Sequence, residues 1–406
     1  MSGTYDAIVI GAGAAGIFAA LRAKECSPGL PLVVLEGSGK PLRKVGISGG
    51  GRCNVTHACH DLDWLLRCYP RGGPRLEAVL GRFMPEDTVR WFADHGVALK
   101  TERDGRMFPT TDSSQTIIDC LLGEARRRGV ELKTGVKVER VKKRGAGLFE
   151  VRCGEESTLL ASKVLLATGG GSKATGWLGD LGHKVVPDIP SLFTFCCRHP
   201  VIDGLPGVAV EKTRLRLNLE GGFESDGPLL ITHWGLSGPA VLKLSAFAAR
   251  ALHATGYKGE LICDLLPEVE DEELWQTLEG GGEGRVSTAS PFPALSKRLW
   301  QRLVAQAGIA ETTTWRKLPP AASQKLGDSL RRLVLPVSGK GAFKEEFVTA
   351  GGLPLAELDP YSMESRKVPG LYVAGELLDV DGITGGFNFQ NAWASGYVAG
   401  EGLASS

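Results

Sequence analysis

The sequence predicts an α/β fold in which one parallel-sheet domain is split by a long insertion of different texture. Three observations predict it. An apolar run over residues 5–10 ends in Gly11-Ala12-Gly13-Ala14-Ala15-Gly16, and helix, second apolar run and acid follow within a unit of ~30 residues. The pattern of an apolar strand running into glycine returns at 163–171 and at 370–375. Between these, after Pro187, the chain changes to scattered short strands, a proline- and glycine-punctuated middle and an acidic-then-helical stretch near 267–279. The expected organisation is one domain from 1–190 and 346–406, with 191–345 inserted.

Length and composition agree. At a soft prior of ~150 residues per domain, 406 residues make two or three domains. Hydrophobic residues at 43% and charged ones at 23% describe a globular chain with core enough to fold without staples. Glycine is the outlier at 55 of 406 residues, against an average of ~7%, and it is bunched rather than periodic. Such bunching suits a backbone that approaches a ligand closely in several places. With 47 basic and 46 acidic side chains the formal charge is +1, so nucleic acid is not the expected partner. No apolar stretch reaches ~18 residues, so no membrane span is expected. The start, Met-Ser-Gly-Thr-Tyr-Asp, runs into an apolar strand without a basic stretch, so no signal peptide is expected. Nine cysteines without a Cys-x-x-Cys pair read as the reduced thiols of a cytoplasmic protein. The spacing of Cys53, His57, Cys59 and His60 fits no zinc pattern, so no metal is expected.

In chain order, strand 5–10 feeds an alanine-rich helix from 17 onward, and strand 32–35 ends at Glu36. A polar, glycine-dense loop is expected over 37–54, followed by helices near 76–83 and 86–95, the second stopped by Gly96. Ser113 or Ser114 caps a helix over 113–128 that Gly129 ends. Short alternating stretches over 136–159 read as a meander, and 163–167 as a buried strand ending in Ala167-Thr168-Gly169-Gly170-Gly171. The tryptophans and phenylalanines near 292–315 are expected in the core of the insertion.

The chemistry begins at residues 11–16. In Gly-x-Gly-x-x-Gly the first glycine permits the turn, the second admits a pyrophosphate and the third lets helix pack on strand, while Ala14 and Ala15 open the helix. Glu36 follows Gly16 at the spacing of an acid that accepts both ribose hydroxyls. A dinucleotide is therefore the expected ligand. Two further glycine-rich strand ends are more than a nicotinamide enzyme requires. The run 375–388 holds Gly375-Glu376, Asp379 and Gly385-Gly386-Phe387-Asn388 before a helix that begins near Phe389. It can hold a ribityl chain and present amides to a flavin ring, where positive dipoles favour the reduced state.

Val45-Gly46-Ile47-Ser48-Gly49-Gly50-Gly51-Arg52-Cys53-Asn54, just after Lys44, resembles the signature of a bacterial FAD flavoprotein family. Its members go by aminoacetone-oxidase-like or bile-acid dehydro-reductase-like NAD(P)/FAD-dependent oxidoreductases. Gly105-Arg106-Met107-Phe108-Pro109, Thr232-His233-Trp234-Gly235-Leu236-Ser237-Gly238-Pro239 and the run from Gly385 to Gly396 extend the resemblance over nearly the whole chain. It implies a glutathione-reductase-type FAD-binding Rossmann-like domain interrupted by a mixed β-barrel-like and helical insertion. It also implies that 48–54 lies beside the flavin, that Thr168 and Gly169 sit near the pyrophosphate, and that Val136 offers backbone to the adenine. The chain departs from the family pattern at Phe387-Asn388-Phe389-Gln390-Asn391 and at Ser172-Lys173-Ala174, both near the expected cavity.

The expected function is an FAD-dependent oxidoreductase that passes hydride through flavin N5 between NAD(P)H, or a small organic donor, and a small-molecule acceptor. An oxygen-using amine oxidase and a flavin module without turnover remain alternatives. Modification of RNA is disfavoured by the charge balance, with no basic run longer than Arg126-Arg127-Arg128. His233 and Arg106 are the candidate catalytic residues, each with a structural role as the competing reading. Arg52 either anchors an anion or holds its loop by an ion pair. Cys53 and Cys59 are separated by one residue more than a disulfide-reductase pair, so a packed thiol is favoured. His57 and His60 are expected to face solvent.

Overall fold

The computed structural model describes residues 2–154, 157–341 and 348–405, and the chain forms two compact units, 1–189 with 348–406 and 190–347. The expected boundary at 345/346 lies outside the described residues.

The first unit is built on a seven-stranded sheet. Its spatial order is Glu131–Thr134, Leu32–Glu36, Ser2–Ile10, Ser157–Leu166, Phe149–Cys153 and Val138–Lys143, with Leu371–Val373 also paired to Ser157–Leu166. The strands nearest the centre are parallel, with Ile8 opposite both Val33 and Val164 and Leu166 opposite Val373. Parallel strands are covered on both faces, which explains their unbroken apolar runs. Residues 7–10 and 32–35 are all buried. Helices Ala14–Cys26 and Phe387–Ala404 pack together through small residues: a Cβ on Gly396 would lie 2.6 Å from the Ala15 carbonyl oxygen.

Two expectations are corrected here. The strand at 163–167 is the second half of one long strand, Ser157–Leu166, antiparallel to the meander at its start and parallel to Ser2–Ile10 along its length. The stretch 37–54 is not all loop. It contains the short helix Arg43–Gly51, anchored by buried Leu42 and Val45 and broken by left-handed Gly49 and Gly50.

The second unit is a closed six-stranded antiparallel barrel with helices against it, the β-barrel-like and helical insertion that the resemblance implied. Around the barrel run Phe195–Cys197, Gly235–Ser237, Phe223–Ile231, Ala209–Leu217, Gly259–Asp264 and Leu333–Lys340. Alternation puts Leu215, Leu217, Ile231, Leu261 and Leu335 inside, and Arg214 and Arg216 outside. Trp300 and Trp315 are buried and stacked in the helical part, as expected for core. Among the described residues, no helix is long and apolar enough to cross a membrane.

Candidate functional site

Backbone crowding fixes the turn after the first strand. Gly11 has φ of 107°, and a Cβ there would stand 2.4 Å from the Ala167 carbonyl oxygen; one on Gly16 would stand 1.9 Å from the oxygen of Gly11. At Gly13, by contrast, a Cβ would meet no heavy atom within 4 Å. The first and third glycines are thus demanded by packing, while the second opens onto free space at the N-terminus of Ala14–Cys26. The first N–H groups of a helix have no intrahelical partner and favour an anion. Glu36 ends the neighbouring strand with its carboxylate fixed by two backbone donors, Ala12 N at 3.0 Å and Ser38 N at 2.8 Å. Each oxygen keeps a lone pair for a ribose hydroxyl. Val136 donates its N–H to the Glu36 carbonyl at 2.9 Å, so its carbonyl is what it has to offer a base.

Three strand ends meet at this edge. Ala167 N donates to the Ile10 carbonyl at 2.8 Å and Ala374 N to that of Leu166 at 3.1 Å, aligning Gly11, Thr168-Gly169-Gly170 and Gly375. Gly375 is tied down from behind, its N–H donating to Ser395 Oγ at 2.9 Å. Glu376 accepts from Thr349 N at 3.0 Å and pairs with Lys44 Nζ through its other oxygen. A Cβ on Gly169 would be 3.8 Å from both of those charged atoms, so Lys44, Gly169 and Glu376 form one corner. Asp379 follows, its N–H donating to the Leu353 carbonyl. Burial, helped by the charges of Glu376 and Asp379, pushes the nearby Asp188 carboxyl up.

The loop from Ser48 to Asn54 leads into the same region. Gly49, Gly50 and Gly51 are left-handed and solvent-exposed, so bare backbone is presented there. Asn54, with its amide oriented to satisfy both neighbours, donates to the Thr56 carbonyl at 3.1 Å and accepts from Gly386 N at 3.0 Å. That joins 48–54 to the turn 385–388. Gly386 fits because a Cβ would lie 2.5 Å from the Thr56 oxygen. Asn388 closes the turn on itself through both Gly382 backbone groups, at 2.8 and 2.9 Å. Phe387 is buried and Phe389 stacks on Trp393.

The charged candidates of this unit are all engaged. Arg52 donates to Glu102 at 2.7 Å and lies over the Phe108 ring at 4.0 Å; Arg106 reaches the same Glu102 at 2.9 Å and Asp104 at 2.7 Å. The ion-pair reading of Arg52 is therefore the arrangement present. His57 departs from expectation: it is half-buried and stacked on Phe387 at 4.9 Å, while His60 is exposed. Burial pushes the Cys53 thiol up to about 12, which keeps it protonated and a poor nucleophile. His233 belongs to the barrel unit, exposed at the tip between Phe223–Ile231 and Gly235–Ser237, so it is no core histidine.

Sequence reasoning missed a buried pair. Arg71 and Asp381, 8% and 0% exposed, form a two-pronged ion pair across 310 positions and pin the glycine run at 382–386. The signal available was Asp381 itself, an acid between apolar Val380 and Ile383. Its partner could not be read.

A Rossmann-type nucleotide-binding domain interrupted by a barrel, with three glycine-rich strand ends at one sheet edge, is the class of protein that fold and site define. Residues 5–402 match the family described as "HI0933-like protein Rossmann domain", and the chain belongs to that family of FAD Rossmann proteins. It is 31% identical to the 3-dehydro-bile acid delta(4,6)-reductase of Clostridium scindens, over 98% of both chains. It is 32% identical to the ribosomal RNA dihydrouridine synthase of Escherichia coli K12, over 99% of this chain and 98% of that one. Its fold is similar to that of 3-ketosteroid delta1-dehydrogenase from Sterolibacterium denitrificans, with a TM-score of 0.53, 14% identity and 99% of each chain covered.

Proposed function

We propose that this protein is an FAD-dependent reductase of a carbon–carbon double bond conjugated to a carbonyl. One observation carries the reading: two relatives of equal distance and full length bear names with a common chemistry. One is named for reducing delta(4,6) bonds of a 3-dehydro bile acid, the other for making dihydrouridine in ribosomal RNA. A 3-oxo diene and the 5,6-bond of uracil are both electron-poor alkenes whose carbonyl oxygen gathers charge when hydride adds. A chain equally related to both fits the reaction they share.

When bound, FAD supplies the hydride from N5. The residues present fit such a group. Gly11, Gly13, Ala14, Ala15 and Gly16 would hold the pyrophosphate from one side and Ala167, Thr168, Gly169 and Gly170 from the other. Glu36 would take the ribose and the Val136 carbonyl the adenine amine. Gly375, Glu376 and Asp379, with Lys44, would line the ribityl chain. Ser48, Gly49, Gly51, Cys53 and Asn54 would flank the ring together with Gly385, Gly386, Phe387, Asn388 and Phe389. Arg52 and Arg106 brace this wall through Glu102; a guanidinium does not give up a proton, so they position rather than protonate. His233 is exposed on the barrel unit and is assigned no step at the flavin, while NAD(P)H is the candidate electron donor.

A second reading concerns the acceptor. The Escherichia coli relative makes a uracil base in RNA the alternative to a small enone, and a whole-chain charge of +1 does not describe any local surface. The test is anaerobic reduction of the purified holoprotein by NADPH and NADH, read as bleaching of the flavin. A 4-en-3-one steroid and uridine-containing ribosomal RNA are then offered as acceptors. Reoxidation by either, with two hydrogens gained by the product, supports the reading. A flavin that neither acceptor reoxidises refutes it.

A further inference from the structure

The near-zero charge of the whole chain conceals one lopsided stretch. Residues 285–317, all in the barrel unit, hold six cations, Arg285, Lys297, Arg298, Arg302, Arg316 and Lys317, against a single carboxylate, Glu311. All six are exposed, and none forms an ion pair among the described residues. The barrel wall, by contrast, pairs its cations: Lys212 with Glu268, Arg214 with Asp226 at 3.0 Å and Arg216 with Glu224 at 2.6 Å. Packing joins the pieces of the stretch. Trp300 of helix Lys297–Gln306 stacks on Trp315 at 6.2 Å and donates its indole N–H to the Val286 carbonyl at 2.6 Å. Arg285 is bridged to Thr314, beside the turn Trp315–Lys317. Both rings are buried, so helix, turn and bridge share one small core and leave their cations in solvent. Two of these cations stand where local physics disfavours them. Lys297 and Arg298 open a helix whose first turn carries no acid, and the partial positive charge of a helix N-terminus repels them. A polyanion laid over the face would gain from every one of these charges.

We propose that this face of the barrel unit docks the phosphate backbone of RNA. The inference rests on the second reading above, in which the reduced bond lies in a uracil base of an RNA strand. The cations are spread along a helix and a neighbouring turn instead of converging, which matches a row of phosphates and not one small anion. No large apolar side chain is exposed within residues 285–317, so the face lacks the apolar centre that a protein partner would bury. Backbone docking of this kind is independent of sequence, leaving the choice of base to the flavin site.

The experiment titrates oxidised holoprotein into a labelled single-stranded fragment of ribosomal RNA and follows fluorescence anisotropy over a range of salt. Wild type is compared with the face variant Lys297→Gln/Arg302→Gln/Arg316→Gln. The control, Lys212→Gln/Arg214→Gln/Arg216→Gln, removes the same charge from the barrel wall. Circular dichroism and flavin absorption check that each variant folds and keeps its cofactor. The expected result is a Kd raised tenfold or more by the face variant and less than twofold by the control, with the salt slope of the face variant lowered by about 2. Wild type that does not bind, a folded face variant that binds as wild type does, or a control that loses as much would overturn the proposal. Light scattering on the same samples reports the rival occupant: a wild-type dimer that the face variant splits, with RNA binding unchanged, assigns the face to a second copy and overturns it too. Binding is read without turnover, so it can fail while an enone still reoxidises the flavin, and can hold where no acceptor does.

Discussion

The sharpest test of the cofactor cradle is a single methyl group placed at residue 13. Gly13 caps Ala14–Cys26 with φ −81° and ψ −170°, a conformation open to alanine, and its Cβ would touch no protein atom within 4 Å. Replacing glycine trims unfolded-state freedom, worth about 0.4–1 kcal/mol, and loses a better cap, worth about 0.5–1 kcal/mol. The two effects offset, so apoprotein with Gly13→Ala should melt within a few degrees of wild type. A bound pyrophosphate would instead meet the methyl. Overpacking costs ~1–3 kcal/mol, which is a loss of roughly 5- to 150-fold in FAD affinity. Titration of apoprotein by quenching of FAD fluorescence measures it. Gly16→Ala is the contrast, since a Cβ only 1.9 Å from the Gly11 oxygen forces the backbone apart and destabilises the fold itself. Gly13→Ala protein that binds FAD as tightly as wild type would refute the placement of the pyrophosphate on this turn.

Other consequences follow from the same geometry. Glu36→Ala removes the ribose acceptor and should weaken FAD by ~10–100-fold, seen by equilibrium dialysis; unchanged affinity would remove Glu36 from the site. Arg71→Met strands the carboxylate of fully buried Asp381, and denaturant melts should show a loss of ~3–5 kcal/mol that Asp381→Asn in the same chain partly restores. A thiol pushed up to about 12 stays protonated through neutral pH, so at pH 8 the Cys53 thiolate fraction is ~10⁻⁴. Iodoacetamide should spare Cys53 until alkaline pH while labelling exposed Cys26, as peptide mass spectrometry would report. Equal labelling of the two would contradict the burial argument.

Much of the candidate site was legible because its signals are local. Gly11, Gly13, Gly16 and Glu36 lie within one βαβ unit, where spacing alone sets geometry. The loops at 168–170 and 375–388 were visible as glycine following buried strand, although their adjacency was not. It rests on Ser157–Leu166 pairing with both Ser2–Ile10 and Leu371–Val373. What stayed hidden was long-range or concealed by composition. The helix Arg43–Gly51 was masked by its own glycines, and His57 was assigned to solvent because Phe387, its stacking partner, comes 330 residues later.

By itself, then, the sequence determined the two textures, the split domain, the glycine turn after the first strand and the acid that follows it. These depend on period, propensity and positive φ, which are properties of short stretches of chain. Only the tertiary structure decided which glycines face open space and which are locked by packing, that Arg52 and Arg106 are spent on one carboxylate, and that Arg71 neutralises Asp381. Those are questions of what a side chain meets across the fold, and in water-poor interiors the identity of that neighbour outweighs any local preference.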